Sequence, residues 1–222
     1  GMCHISVIEF FISEINPKEF EHKSVLEVGS KYVNGSVRPL IKKFCKPSRY
    51  VGIDIEKGKY VDLRLPAEKL IDKFWKNSFD VVISTELLEH VKDWRVVINN
   101  MKAVLKSGGY IYITTRSKGF GYHAYPYDFW RYEIKDIRRI FSDFKIISLR
   151  KDTEPGILLK AQKPKNWKPK DLSKISLYSM LLGKRTRSIP NRFVLSRLLK
   201  VRIKVLLTNI LNLFFSFYRS MI

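Results

Sequence analysis

The period of the apolar positions changes repeatedly along the chain. Residues 7–15 are apolar at helical spacing, and Asn16-Pro17 stops the run. Residues 24–28 (Ser-Val-Leu-Glu-Val) form a short apolar run broken by Gly29, which predicts a buried strand ending in a turn. Residues 36–45 predict a helix with Ser36 as N-cap and Pro39 in the first turn, where proline is tolerated. A second strand is predicted at 50–54, a short third at 60–63, and a helix at 67–75. A fourth strand follows at 79–84, then a helix at 93–105 that Ser107-Gly108-Gly109 stops, a fifth strand at 110–114, and a helix at 134–141. The β-type runs 144–149 and 157–161 flank the turn sequence Asp152-Thr-Glu-Pro-Gly156 and predict a terminal antiparallel hairpin. Continuous apolar strands alternating with helices define an α/β protein, with a parallel sheet covered by helices on both faces.

Charge divides the chain. It carries 42 Lys plus Arg against 21 Asp plus Glu, a formal net charge of +21. Residues 161–222 hold 14 of the basic residues and one acid, Asp171. The composition breaks at QKPKNWKPK, residues 162–170, so the domain is expected over 1–162 and a basic, partly amphipathic helical extension over 163–222. Such a tail suits RNA, an anionic membrane surface or an acidic partner; the bland alternative is a solvated face. Asn191 to Arg219 is expected to be one long helix, basic in its first half and greasy in its second. That pattern fits an interfacial membrane helix, and equally one packed on its own core or across a homodimer. The longest uncharged apolar run, residues 205–218, reaches about 21 Å, short of the ~30 Å that spans a bilayer. No secretory signal is read at the start, and the expected location is cytoplasmic, peripheral at the membrane if the tail binds there.

With 222 residues, 45% of them hydrophobic, the chain can bury one sizeable core, which excludes a wholly disordered protein. Cys3 and Cys45 are its only cysteines, so a disulfide scaffold and a cysteine-rich zinc site are excluded. No metal cluster is read from spacing, because His4, His22, His90 and His123 lie far apart in sequence.

In parallel sheets, ligands bind at the carboxyl ends of the strands. The first such end is Glu27-Val-Gly29-Ser30, where glycine lets backbone approach a ligand closely. It is neither GxGxxG nor a GKS/GKT loop, so nucleotide triphosphate binding is unsupported. Asp54 ends the second strand, where a carboxylate can accept two hydrogen bonds from a ribose diol; the alternative is a surface Asp that caps the next turn.

Four ordered segments carry a resemblance: Val25-Leu-Glu-Val-Gly-Ser30, Tyr50-Val-Gly-Ile-Asp-Ile55, Phe79-Asp-Val-Val-Ile-Ser-Thr-Glu-Leu-Leu-Glu-His90 and Leu105-Lys-Ser-Gly-Gly-Tyr-Ile-Tyr-Ile113. Together, over roughly 24–162, they resemble the class I S-adenosylmethionine-dependent methyltransferases, and most closely the group called methyltransferase type 11. The resemblance implies a Rossmann-like seven-stranded sheet of order 3-2-1-4-5-7-6 with the last strand antiparallel. It implies S-adenosylmethionine as cofactor and S-adenosylhomocysteine as product. Glu27 is then expected to orient the glycine turn and the methionine end, and Gly29 and Ser30 to lie along the cofactor. Asp54 is expected to bind the ribose, and Ser84, Thr85 and Glu86 to border the site. Two departures stand out: Gly29-Ser30-Lys31 keeps only the first glycine of GxGxG, and Pro66-Ala67 replaces a common Asp-Ala pair. Ala67 can still offer its backbone N–H, with Glu68 as a weak substitute.

The loop after the fifth strand, residues 116–132, mixes aromatics with His123, Asp128 and Arg131, a composition suited to a polar, ring-shaped acceptor. His123 is the candidate general base, since imidazole is neutral near pH 7, with Asp128 or Arg131 orienting it and His90 as a second candidate. Tyr125, Tyr127, Trp130 and Arg131 are the candidate acceptor contacts. A loop that only clasps itself would need the same residue types. Base methylation of DNA is disfavoured: Ser84-Thr-Glu-Leu stands where amino methyltransferases carry a Pro-Pro-aromatic segment, and no cysteine nucleophile lies nearby. The leading expectation is methyl transfer to oxygen of a small-molecule or glycan- or lipid-linked acceptor. The alternatives are an RNA methyltransferase and a non-catalytic module that binds through its tail.

Overall fold

The computed structural model describes residues 5–124 and 126–220, with side chains to 212. Helix α1 (Ile5–Glu14) leads into β1 (Ser24–Val28), α2 (Arg38–Cys45), β2 (Arg49–Asp54), β3 (Leu63–Arg64) and the short α3 (Leu70–Lys73). Then come β4 (Phe79–Thr85), α4 (Trp94–Val104), β5 (Leu105–Arg116), β6 (Trp130–Arg131), α5 (Ile134–Ile140), β7 (Lys145–Lys151) and β8 (Gly156–Gln162). Two short strands, β9 (Leu177–Ser179) and β10 (Lys184–Thr186), precede α6 (Asn191–Ser220).

Seven strands form one sheet in the order β3-β2-β1-β4-β5-β8-β7. Only β8 runs against its neighbours. This is the expected order with one change of numbering, because β6 intervenes in the chain and belongs to a second, three-stranded sheet, β10-β9-β6.

Alternating side chains of each strand face opposite layers. Val25, Val81, Ile83 and Tyr112 pack with Val7, Phe10 and Phe11 of α1 and Ile41 of α2. Leu26, Val82, Ile111 and Ile113 pack on the other face with α4 and α5. Because both faces are covered, the strands read as continuous apolar runs rather than as alternation.

Several elements differ from expectation. Ser36 does not cap α2; it stands one residue before the cap position, Val37, and its hydroxyl accepts from the Arg38 N–H (3.1 Å). The helix expected over 67–75 is a 3₁₀ turn followed by the single α-helical turn of α3. Strand β5 starts at Leu105, which pairs with Phe79 of β4, and Lys163 pairs its backbone with Gly108 and Gly109 and extends the ladder through the glycines.

The segment 163–190 was expected to go with the tail, yet it packs on the domain. Leu172, Ile175, Leu177 and Ile189 are buried in the same core as α4 and α5. β9 pairs with β6, Arg185 bridges to Asp136 of α5, and Trp167 donates to Asp143. Helix α6 meets that core only at its start, where Val194 packs against it, Lys92 reaches Asn191 and Arg197 lies over the Tyr122 ring; every side chain from Arg202 to Asn212 is exposed.

Candidate active site

The carboxyl ends of β1, β2 and β4 surround two adjoining clefts. The first, about 480 Å³, is lined by Gly29, Asp54, Ala67, Glu68, His90, Tyr127 and Phe129, with Val194 of α6 at its edge. The second, about 380 Å³, is lined by Gly29, Lys31, Asp54, Glu86, Arg116, Phe120 and His123. Gly29, Asp54, Leu87 and His90 border both. A larger depression of about 600 Å³ at Arg138, Arg139, Lys170 and Lys174 is bordered by none of the expected site residues.

The turn after β1 is built for close approach. Gly29 has φ +80°, and a Cβ there would stand 3.1 Å from Leu87. The Gly29 and Ser30 N–H groups both donate to Ile53 carbonyl oxygen, at 2.9 and 3.0 Å, so β2 closes the turn. The Asp54 carboxylate accepts from the N–H groups of Lys31 (3.2 Å) and Glu56 (3.0 Å) and borders both clefts. Lys31, which replaces a family glycine, pairs with Glu56 at the rim. A bare glycine turn facing a strand-end carboxylate across a cleft fits an adenosyl cofactor, with Ala67 and Glu68 on the far wall.

Other residues expected along the cofactor lie beneath the clefts. Ser30 is buried, and its Oγ stands 2.6 Å from where a Cβ on Gly52 would be. Ser84 and Thr85 are buried within the sheet and border neither cleft. Glu27 is buried behind the turn, where it accepts from the Tyr50 hydroxyl (2.9 Å). Burial pushes Glu27 up to about 7, although the Tyr50 bond and the Arg38 charge oppose the shift. Glu86 does reach the second cleft, paired with Arg116. Burial and the nearby Glu89 carboxylate raise it well above the usual carboxylate range.

On the acceptor side the expected set divides. Asp128 and Arg131 are fully buried and joined bidentately, at 2.5 and 2.8 Å. Burial alone would raise Asp128, but hydrogen bonds from Arg131 and His123 outweigh it and hold the carboxyl far below its ordinary range. Asp128 is therefore an anion that positions His123: it accepts the His123 backbone N–H (2.8 Å) and lies 3.3 Å from Nδ1. Arg131 also donates to the carbonyls of Phe120, Gly121 and Trp130. Trp130 is buried and donates to Lys92 carbonyl oxygen (3.0 Å). Trp130 and Arg131 thus anchor the loop rather than face an acceptor, a correction to their expected role, because their donors are engaged by protein. Tyr127 is half-exposed at the first cleft, and Tyr125 lies outside the described residues.

His90 and His123 meet edge to face, ring centroids 4.7 Å apart, with Glu89 beside them. Glu89 stands in the quoted Phe79-to-His90 motif without an assigned role; the Glu89-His90 pair lies in the 3₁₀ turn after β4 (Leu88–His90), and the cluster forms only where residue 123 folds back over it.

The fold and the site define a class I S-adenosylmethionine-dependent methyltransferase, an enzyme. The chain matches the family model described as "Methyltransferase domain" over residues 6–151, and it belongs to that family. No curated protein matches it. Similar solved structures include a methyltransferase of Aquifex aeolicus, at 17% identity and TM-score 0.54, covering 69% of this chain and 88% of that one. A Mesorhizobium loti methyltransferase gives 14% and 0.54, covering 71% and 97%. The 1,6-didemethyltoxoflavin-N1-methyltransferase of Burkholderia thailandensis, with 1,6-didemethyltoxoflavin and S-adenosylhomocysteine bound, gives 14% and 0.53, covering 65% and 72%. Identities this low establish the shared fold.

Proposed function

We propose that this enzyme moves the sulfonium methyl of S-adenosylmethionine to a hydroxyl oxygen of a small-molecule or glycan- or lipid-linked acceptor. Asp54 holds the ribose, the Gly29 turn admits the cofactor, and the acceptor enters the second cleft. The observation that carries this reading is the His90–His123 pair on the wall shared with Gly29 and Asp54. The acceptor oxygen attacks the methyl carbon in line as the C–S bond breaks, and most of the acceleration comes from alignment. The hydroxyl proton passes to His123 Nε2, the nitrogen left bare when Nδ1–H faces Asp128. The 1,6-didemethyltoxoflavin bound to the Burkholderia thailandensis methyltransferase supports a small acceptor.

The test pairs two variants. Asp54→Ala is expected to weaken S-adenosylmethionine roughly tenfold to a hundredfold, the 1.5–3 kcal/mol of a charged hydrogen bond, without unfolding. His123→Asn is expected to slow turnover ~10²–10⁴-fold and leave cofactor affinity unchanged. No saturable cofactor binding at millimolar concentration would sink the reading. Normal turnover in His123→Asn would remove the base.

No described helix is long and apolar enough to cross a membrane. The exposed apolar residues of α6, among them Leu199, Ile203, Leu206 and Ile210, run beside Arg192, Lys200, Arg202 and Lys204. This supports attachment to an anionic bilayer surface. Sedimentation with phosphatidylserine vesicles, lost on truncation at Ile189, checks it; a concentration-dependent dimer without vesicle binding would replace it.

A further inference from the structure

The fold brings His123 onto the adjacent pair Glu89-His90, more than thirty residues earlier in the chain. Glu89, His90 and His123 each offer a donor atom, all within 4.8 Å of one another. We propose that these three residues bind one divalent first-row transition-metal ion of the zinc class, on the wall of the second cleft.

The support lies in how each side chain is held. Glu89 is fully buried. Its Oε2 accepts from the Thr115 hydroxyl (2.8 Å), while its Oε1 has no hydrogen-bond partner and lies 3.9 Å from His90 Nε2. A buried carboxylate oxygen without a protein partner is costly, and a bound cation would satisfy it. His90 Nδ1 stands 2.7 Å from the Tyr127 carbonyl oxygen. A carbonyl only accepts, so Nδ1 carries the hydrogen and Nε2 the lone pair. His123 Nδ1 faces the Asp128 carboxylate at 3.3 Å and the Gly121 carbonyl at 3.4 Å. Both only accept, since Arg131 holds Asp128 as an anion, so His123 also presents a bare Nε2. Metal-ligating histidines almost always donate their other N–H to a carboxylate or carbonyl. Here both outer partners are in place, and the third donor is an orphaned carboxylate oxygen.

Bond lengths near 2.0–2.2 Å set ligand atoms about 3.4 Å apart around a tetrahedral ion, so side-chain rotations of about 1 Å close the site. Two imidazoles with one carboxylate select a borderline transition ion over magnesium or calcium, which take oxygen ligands. Three protein ligands leave a coordination position open, as in catalytic sites. His90 and His123 both line the second cleft, so that position faces it.

Ion binding stands apart from the acceptor reading above; its catalytic consequence rests on that reading. An acceptor hydroxyl on the open position is acidified, its proton leaves to solvent, and the oxygen attacks the methyl carbon as the C–S bond breaks. His123 is then a ligand instead of the base.

The experiment is a titration of the chelator-stripped, dialysed full chain with Zn²⁺ or Co²⁺ alone. A Cys3→Ser, His4→Ala background removes the donors near the start of the chain. One equivalent of Co²⁺ with the intense visible absorption of a low-coordinate site is expected. Glu89→Gln and His123→Asn should each weaken uptake at least tenfold, and His22→Ala should leave it unchanged. Circular dichroism confirms that each variant is folded; His123, at the cleft surface, serves if Glu89→Gln is not. Absence of saturable uptake, or uptake indifferent to both variants, overturns the proposal. S-adenosylmethionine titration of the same samples reports separately on the methyltransferase site.

Discussion

Replacing Glu27 with glutamine isolates the cost of one buried charge. Glu27 sits on β1 between Gly52 of β2 and Ile83 of β4, 2% exposed, with the Tyr50 hydroxyl on its Oε2. Burial lifts it from the ordinary 4.5 to about 7. At 1.36 kcal/mol per pH unit, that displacement is worth about 3 kcal/mol. The folded value lies above the unfolded one, so between pH 4.5 and 7 the folded chain keeps a proton that the unfolded chain has lost. Stability from this group is therefore complete below about pH 4.5, falls through the window, and is gone above about 7. Glutamine is nearly isosteric, can still accept from Tyr50, and does not titrate. Relative to the parent, Glu27→Gln should gain about 3 kcal/mol between pH 4.5 and 7.5. Urea unfolding of both proteins at pH 4.5, 6 and 7.5 measures it, since every other group titrates in both. A stability difference that does not change with pH would refute the reasoning and show Glu27 ionised throughout, with Arg38 compensating its charge.

Asp128→Asn leaves the Arg131 guanidinium buried without its anion and should cost about 3–5 kcal/mol, or roughly 6–20 °C in Tm by calorimetry. Because Asp128 is held below its ordinary range, its contribution is present above about pH 4 and fades as pH falls through the folded value, so the variant should unfold less steeply in acid. Gly29→Ala and Gly108→Ala share φ +80°, but only at Gly29 does a Cβ meet another side chain. Both should lose about 1–2 kcal/mol from the left-handed backbone, and only Gly29→Ala should also lose cofactor affinity in titration, by tenfold or more.

The central strands were legible because burial on both faces leaves one signal, a continuous apolar run. β1, β2 and β4 fall within a residue of expectation. The second sheet was not legible. Its strands are two or three residues long, too short for any period, and β10 is Lys184-Arg-Thr186. Charge misled over 163–190 because a basic residue can be buried. Lys163 is 2% exposed and donates to the carbonyls of Lys102 and Leu105, and burial draws its ammonium down to about 8. The four apolar residues that tie this segment to the core sit among lysines with no regular spacing.

The two halves of the site differ for a related reason. Gly29 and Asp54 stand at the clefts, where the sequence put them, because a strand end fixes where a residue stands. The places of Ser30, Ser84 and Thr85 were not legible, since in a sheet covered on both sides neither face of a strand is marked by polarity, and a serine beneath the cleft looks like one beside it. In the loop, a clasp and a grip draw on the same residue types. Asp128, Arg131 and Trp130 became the clasp because each is buried against a backbone or charged partner close at hand. His123 is left over from that clasp: Asp128 fixes its Nδ1 and backbone, and its ring returns to Glu89 and His90 across more than thirty residues of chain. What the loop does chemically follows from that ring: loss of Zn²⁺ uptake in His123→Asn marks His123 as a ligand, while slowed turnover in a protein that takes up no Zn²⁺ marks it as the base.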